Sequence, residues 1–174
     1  MIISVEKLKE FMTTTESDAV LEAKLQALEL SIREYTHNNF QQRSIRTVCP
    51  VVAQKLFTTY PHFRVGDTVQ ISQSYFNDGI YKIESIVDGM IILDKKLIDE
   101  NGILVTKVEY PADVVMGAIN MLKWDLENRD KVGIQSETLS RHSVTYFNMD
   151  GDNSTMGYPK SLLGFLKPYM KARF

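Results

Sequence analysis

The sequence has few of the residues on which enzyme and metal chemistry usually depends. Its 174 residues include one cysteine, Cys49, and three scattered histidines, His37, His62 and His142. A single cysteine excludes a disulfide within the chain, and the apolar neighbours of Cys49 are typical of a buried side chain rather than a nucleophile. No spacing of His, Cys, Asp and Glu fits a zinc site. We therefore expect no metal.

Patterns of catalytic or cofactor-binding residues are also lacking. The glycines lie at expected hairpin positions, so none forms a phosphate-binding loop, and no serine has the context of a nucleophile elbow. Asp125 and Glu127 lie on different faces of their predicted helix and do not converge. The acidic loop from Asp150 lacks the glycine of a calcium loop and has Pro159 where the bidentate Glu should be. We expect no enzyme activity, no catalytic residues and no cofactor.

Long apolar runs and a strong net charge are absent as well. No stretch approaches the ~18 apolar residues of a membrane span, and the charged N-terminus is unlike a signal peptide. The formal charge of −2 gives no general attraction to nucleic acid or membranes. The basic residues are unevenly spread, because residues 158–174 contain four cations and no acid. This end of the chain either meets a partner or is a solvated terminus.

Apolar residues at helical spacing predict helices at both ends of the chain. Ser4 is the expected N-cap of the first helix, and Ser17 or Asp18 that of the second. The second helix has one apolar stripe, formed by Leu21, Leu25, Leu28, Ile32 and Tyr35. Pro111 begins a third helix, whose expected buried positions are Val115, Ala118, Ile119, Leu122 and Leu126. Pro159 begins a short last helix.

Between about Thr47 and Glu109 the apolar residues alternate as in strands. Turn signals at Asn77–Gly79 and Asp88–Gly89 separate four or five short strands, which favours a small barrel. The predicted fold class is therefore α+β: a mainly α-helical bundle body with an inserted small, SH3-like β-barrel module. The body comprises residues 1–46 and 110–174, and the module residues 47–109.

Three aromatic residues of the predicted barrel, Tyr75, Phe76 and Tyr81, are candidates for stacking on nucleic-acid bases. Residues 47–109 contain six Lys or Arg and eight Asp or Glu, and this net negative charge disfavours a groove for a phosphate backbone. Packing in the core and in turns is the favoured interpretation of all three.

The last forty residues carry an ordered set of short motifs. A Ser136-Glu137 pair follows the third helix, a strand reads Ser143-Val-Thr-Tyr146, and the chain closes with Leu166-Lys-Pro-Tyr169 and a basic end. Behind N-terminal helices of this kind, the set resembles the close of the small head–tail connector (adaptor, or head-completion) proteins of long-tailed bacteriophages and prophages. The resemblance covers residues 1–42 and 110–174 and leaves out the β module.

The resemblance implies a structural virion protein rather than an enzyme. Such a protein forms a ring, typically of twelve copies, under the portal, extends the DNA channel and joins head to tail. Its partners would be the portal protein, a tail or stopper protein and further copies of itself, with no membrane. Double-stranded DNA would pass through without specific binding. The expected location is the head–tail interface of the virion, and the host cytoplasm during assembly. The alternative is a non-catalytic binding module whose small barrel recognises nucleic acid or a peptide.

The final segment is the expected portal- or partner-binding site. It crowds large apolar groups and cations into a short helix, which is typical of an element that docks in a groove of another protein. The candidate residues are Leu162, Leu163, Phe165, Leu166, Lys167, Tyr169, Lys171 and Arg173. In the alternative interpretation this helix docks on the core of its own chain. We also expect the loop 148–157 and this final segment to order when they meet the portal.

Overall fold

The chain forms two units, seen in a computed structural model that describes residues 1–132, 136–139, 142–145 and 152–172. One unit contains Met1 and Asn39–Tyr110, and the other contains Ile2–Asn38 and Pro111–Phe174. The functional assignment of these units as inserted module and connector body stays a prediction.

The first unit is a closed barrel of six antiparallel strands. The strands are β1 (Gln41–Val52), β2 (Lys55–Phe57), β3 (Thr68–Ser72), β4 (Gly79–Val87), β5 (Met90–Leu93) and β6 (Glu100–Val108). Around the barrel they follow the order β1-β2-β5-β4-β3-β6, and β6 pairs with β1 to close it. Closure leaves no free sheet edge in the barrel.

Two tight turns set the register of the barrel hairpins. Asp88 and Gly89 connect β4 to β5, and Ala53 and Gln54 connect β1 to β2. All four residues have positive φ, from 50° to 77°, as a two-residue type I′ turn requires. The second turn achieves this without glycine. It is stabilised by Asp99, whose carboxylate accepts hydrogen bonds from both turn amides at 3.0 and 2.9 Å.

The barrel interior is filled by inward-facing side chains of the strands and of two connecting segments. Its buried members are Cys49, Val51, Leu56, Phe63, Val69, Ile71, Tyr81, Ile83, Ile91, Leu93, Leu97, Ile103 and Val105. Burial of so many apolar groups is the main favourable term in the stability of this unit.

The expected fold class, a mainly α-helical bundle body with an inserted SH3-like barrel, is wrong. The dominant feature is the closed six-stranded barrel, accompanied by short helices. Strand β1 begins at Gln41 rather than near Thr47. The prediction missed its first six residues because they are largely polar and lack the apolar alternation by which a strand is recognised. The C-terminal region adds two short hairpins and 3₁₀ turns where more α-helix was expected.

The second unit contains three α-helices in the described part of the chain. They are α1 (Val5–Phe11), α2 (Asp18–Thr36) and α3 (Ala112–Asn128). Ser4 and Ser17 cap the first two by accepting amide hydrogen bonds, as expected. No helix in the described ranges is long and apolar enough to cross a membrane.

In the described residues after α3 the chain forms short elements. A 3₁₀ turn, Arg129–Lys131, is followed by two hairpins and a longer 3₁₀ stretch, Lys160–Tyr169. We call residues 160–172 the C-terminal segment. The hairpin strands are β7 (Ser136–Leu139), β8 (His142–Thr145), β9 (Ser154–Thr155) and β10 (Tyr158–Pro159). The expected α-helix after Pro159 is thus a 3₁₀ segment that runs through Pro168.

The predicted buried positions match the structure better in α2 than in α3. In α2 four members of the predicted stripe, Leu21, Leu25, Leu28 and Ile32, are buried, and the fifth, Tyr35, is only partly covered. In α3 the predicted face is rotated by about one residue. Its buried positions are Val114, Gly117, Ala118, Ile119, Met121, Leu122 and Asp125, whereas Val115 and Leu126 are only partly covered.

Candidate interaction surfaces

The apolar side chains of the C-terminal segment pack within their own unit. Leu163 and Leu166 are buried. The ring of Phe165 lies against α3 at Gly117, where it occupies the space that a β-carbon would fill. The absence of a side chain at Gly117 is therefore what allows the ring to lie against the helix.

Hydrogen bonds hold the end of the segment in the same unit. The Tyr169 hydroxyl donates to the Asp113 carboxylate, with distances of 2.8 and 2.9 Å to its two oxygens, and this bond raises the pKa of Tyr169. Asn38 donates from its side-chain amide to the Tyr169 carbonyl at 3.1 Å, and the Lys171 amide donates to the Thr36 carbonyl at 2.8 Å. The segment is thus fixed to both α2 and α3 in the single chain, whereas the sequence interpretation expected it to order on meeting the portal.

The predicted partner-binding residues differ in how far they are buried. Leu163 and Leu166 are buried and are not displayed by this fold, while Leu162, Phe165 and Tyr169 are partly covered. Lys167 and Lys171 are exposed, as is Lys160 earlier in the segment. Arg173 lies outside the described residues, and so does part of the loop 148–157. A role of these residues in binding stays a prediction.

A buried acidic centre in the second unit was not predicted from the sequence. One carboxylate oxygen of Asp125 in α3 accepts a hydrogen bond from Lys24 Nζ at 2.6 Å, and the other accepts one from Arg129 Nε at 2.6 Å. The Arg129 guanidinium lies over the rings of Tyr158 and Trp124, 4.9 and 5.4 Å from their centroids. It also donates to the carbonyl of Gly157 at 3.0 Å. The centre connects α2, α3 and the β9–β10 hairpin.

The electrostatics of this centre indicate a structural cross-link. Burial opposes ionisation of Asp125, but hydrogen bonds from Lys24 and Arg129 outweigh burial and lower its pKa. Both carboxylate oxygens already have cationic partners. A carboxylate that is held ionised and occupied in this way is a poor general acid or base.

The described residues give structural explanations for the other reactive groups. Cys49 is buried in the barrel core, and burial raises its pKa to about 11, so its thiolate is scarce at neutral pH. His37 is the left-handed C-cap of α2, and His62 packs edge-on against Tyr60. Within the described ranges, no group of His, Cys, Asp or Glu is arranged to hold a metal ion.

The barrel displays an aromatic pair that the sequence interpretation placed in the core and in turns. Tyr81 is buried and donates its hydroxyl to the Asn77 carbonyl at 2.9 Å, as expected. For Tyr75 and Phe76 the core interpretation is wrong, since they are 91% and 68% exposed. Their ring centroids are 6.4 Å apart. We call these two side chains the aromatic knob.

No protein-family model matches the sequence, and no curated protein is similar enough to it to be counted as a relative. The resemblance to phage connectors therefore rests on the motifs of the last forty residues.

Proposed function

We propose that the protein is a structural virion protein, a head–tail connector that forms a ring under the portal, extends the DNA channel and joins head to tail. It acts at the head–tail interface of the virion, after assembly in the host cytoplasm. The observation that carries the proposal is the C-terminal segment, whose motif resembles the connector ending. One face of this segment packs on its own unit, and Lys160, Lys167 and Lys171 are exposed on it.

In the proposed binding, the buried leucines and the exposed lysines of the segment have different roles. The buried residues Leu163 and Leu166 fix the backbone before a partner arrives, so little entropy is lost on docking. The exposed lysines then present positive charge to an acidic surface of the portal. Each such contact is weak at physiological salt. A ring repeats it in every subunit, and the repeated contacts together give strong attachment.

The charge distribution also suits a channel for DNA. Residues 158–174 contain four cations and no acid, so the rest of this chain of formal charge −2 carries a charge of −6. That part of the chain has no excess of positive charge to trap a phosphate backbone. DNA would then pass without specific binding.

The test of the function is electron microscopy of lysates from a phage that carries this gene with an early stop codon. We expect abundant separate heads and free tails, and joined particles when the protein is supplied in trans. Normally joined particles in the absence of the protein would reject the connector role.

A second test addresses the segment itself. Deleting the segment would remove Leu163 and Leu166 from the core, so charge reversal at exposed positions is the cleaner perturbation. Lys167→Glu with Lys171→Glu should abolish co-sedimentation with portal particles and leave thermal unfolding unchanged. The matched control is Arg43→Glu with Arg46→Glu, two exposed cations of strand β1. Equal portal binding by both double variants would refute the role of the segment.

The exposure of Tyr75 and Phe76 favours a second candidate function, a binding module whose barrel recognises nucleic acid or a peptide. Exposed aromatic rings can stack on bases. Binding of oligonucleotides that weakens with salt would support this candidate, and no binding at low salt would count against it.

A further inference from the structure

The sequence contains one Asn-Gly pair, Asn101-Gly102, and it lies at the start of β6. Asparagine followed by glycine is the sequence in which a peptide chain most readily attacks its own side chain. The nucleophile is the backbone nitrogen of the glycine, which has no β-carbon to shield it. In a folded protein the reaction then depends on how the fold holds these two residues.

The pairing of β6 with β1 is interrupted at this pair. The register shifts by one residue, so that Asn101 and Gly102 face the single residue Pro50 of β1. Such an arrangement is a β-bulge, in which the extra residue is left unpaired and the ladder is locally disrupted. Pro50 also has no amide hydrogen to donate to the opposite strand. The regular ladder that holds a strand in its extended conformation is therefore broken at the Asn-Gly pair.

The two residues are also accessible. Both are exposed to solvent, and no atom outside the neighbouring residues lies within 4 Å of the position that a β-carbon of Gly102 would occupy. Gly102 has a φ of 77°, a conformation that residues with a side chain rarely adopt. The space beside the Gly102 backbone is therefore open to water, to base and to the side chain of Asn101.

Asn77, in the loop before β4, provides an internal comparison because its side chain is held in place. It is only 2% exposed. Its side-chain oxygen accepts a hydrogen bond from the Ile98 amide at 2.8 Å, and its nitrogen donates to the Ile98 carbonyl at 2.9 Å and to Glu100 at 3.1 Å. These bonds must break before the side chain can react, so any reaction of Asn77 requires local opening of the loop.

We propose that Asn101 is a site of spontaneous deamidation in the folded protein. The Gly102 nitrogen forms a bond with the side-chain carbonyl carbon of Asn101. The bond from that carbon to the side-chain nitrogen breaks, and ammonia leaves with the proton of the Gly102 amide. Water then adds to either carbonyl carbon of the resulting cyclic imide and opens the ring. One direction of opening gives aspartate, and the other gives isoaspartate, in which the main chain runs through the former side chain.

The isoaspartate product would alter the strand that closes the barrel. β6 pairs with both β1 and β3, and Glu100, the residue before Asn101, anchors the loop of the aromatic knob. Glu100 accepts hydrogen bonds from the Ser74 hydroxyl at 2.6 Å and the Tyr75 amide at 2.7 Å. Isoaspartate lengthens the main chain by one carbon atom between Glu100 and the paired part of β6. Deamidation therefore loosens the loop that holds the aromatic knob, and this effect is independent of the proposed connector role.

The test is peptide mapping by mass spectrometry of the full-length chain during incubation at mildly alkaline pH. Conversion of Asn101 and of Asn77 is followed in the native protein and in the protein unfolded in guanidinium chloride. For each residue, the ratio of the unfolded to the native rate measures protection by the fold and removes the effect of the neighbouring sequence. We expect protection of Asn77 to exceed that of Asn101 at least about tenfold. Equal protection of the two residues, or conversion of Asn101 only in denaturant, would overturn the proposal.

A second measurement tests the effect on the aromatic knob. Hydrogen exchange of the peptide that contains Tyr75 is compared before and after incubation. The controls are Asn101→Asp, which has the charge of the product with a normal main chain, and Asn101→Ser, which cannot form the imide. We expect exchange to become at least about tenfold faster in the isoaspartate fraction of the wild type and to stay unchanged in both variants. The same increase in incubated Asn101→Ser, or no increase in the isoaspartate fraction, would refute the link between Asn101 and the knob.

Discussion

Replacement of Gly117 by alanine tests how the C-terminal segment docks on α3. A β-carbon at this position would enter the space occupied by the ring of Phe165. Alanine is better than glycine in a helix interior by about 1 kcal/mol, whereas forcing a packed side chain to move costs about 1–3 kcal/mol. We therefore expect Gly117→Ala to leave the free energy of unfolding unchanged or to lower it by up to about 2 kcal/mol.

The expected sign reverses once the ring is removed. In a Phe165→Ala background the β-carbon meets no ring, so the same glycine replacement should raise the free energy of unfolding by about 1 kcal/mol. The difference between the two effects is the coupling between the positions, which we expect at about 1–3 kcal/mol.

The assay is urea denaturation of the four proteins of this double-mutant cycle, analysed at a common m-value. A stabilising effect of Gly117→Ala that is equal in both backgrounds would show that Phe165 does not lie against α3. The docking of the segment, and with it the display of Lys160, Lys167 and Lys171, would then need revision.

Three more predictions address the acidic centre, the strained turn and the cysteine. Asp125→Asn should lower the free energy of unfolding at neutral pH by about 1–3 kcal/mol, less than for a fully buried pair because Lys24 and Arg129 are partly exposed. Because the folded-state pKa of Asp125 is lowered, its contribution is present above the unfolded-state pKa of about 3.9 and disappears as the pH falls through the folded-state pKa. The difference in the free energy of unfolding between the wild type and Asp125→Asn, measured in urea, should therefore become smaller in acid. A difference that does not change with pH would contradict this. Replacing Ala53 by Asn and Gln54 by Gly should raise the free energy of unfolding by about 1 kcal/mol, because an Asn-Gly pair favours the positive φ angles of this turn; an unchanged urea midpoint would argue against strain. Cys49 should react with a thiol-specific disulfide reagent at least roughly 100-fold more slowly than free cysteine until denaturant is added, and fast reaction of the folded protein would mean that the thiol is accessible.

Local signals were sufficient where the structure depends on neighbouring residues. The cap Ser4, the cap of α2 at one of its two candidates and most of the buried stripe of α2 agree with the sequence prediction. A cap and a 3.6-residue period are both contained in a short stretch of chain. The turn Asp88–Gly89 was predicted for the same reason, since its residues tolerate the φ angles that a two-residue hairpin needs.

Asn77 shows where local signals were insufficient. The run Asn77–Gly79 was interpreted as a tight turn, but it forms the end of the longer loop 73–78. The Asn77 side chain makes hydrogen bonds with Ile98 and Glu100, more than twenty residues away. A pattern within the run cannot reveal such partners. As a result, packing in the core and in turns is favoured from the sequence for Tyr75 and Phe76, and exposure for stacking on bases is only the alternative, whereas both side chains are exposed.

The apolar residues of the C-terminal segment illustrate a different limit. Their number predicts that apolar groups must be buried against another surface. The sequence leaves open whether that surface belongs to a partner or to the chain itself. The structure provides much of the cover through Gly117, a residue that contributes no side chain and so does not appear in an apolar pattern. What the segment exposes is therefore its cations rather than Leu163 and Leu166.

The rotation of the buried face of α3 has a single physical cause. Val114, Ala118, Met121 and Asp125 recur at spacings of four, three and four, so they form one continuous stripe. A prediction that uses apolar residues alone excludes an aspartate, so it selects the neighbouring row of side chains, which ends in Leu126. Asp125 can lie in the stripe because Lys24 and Arg129 neutralise it, and burying an unpaired carboxylate would cost far more. Since Lys24 belongs to another helix, the true face of α3 is set by a pairing 101 residues apart. Lys24→Met should therefore lower the free energy of unfolding in urea only in part, because Arg129 still neutralises Asp125. A loss as large as that of Asp125→Asn would contradict this.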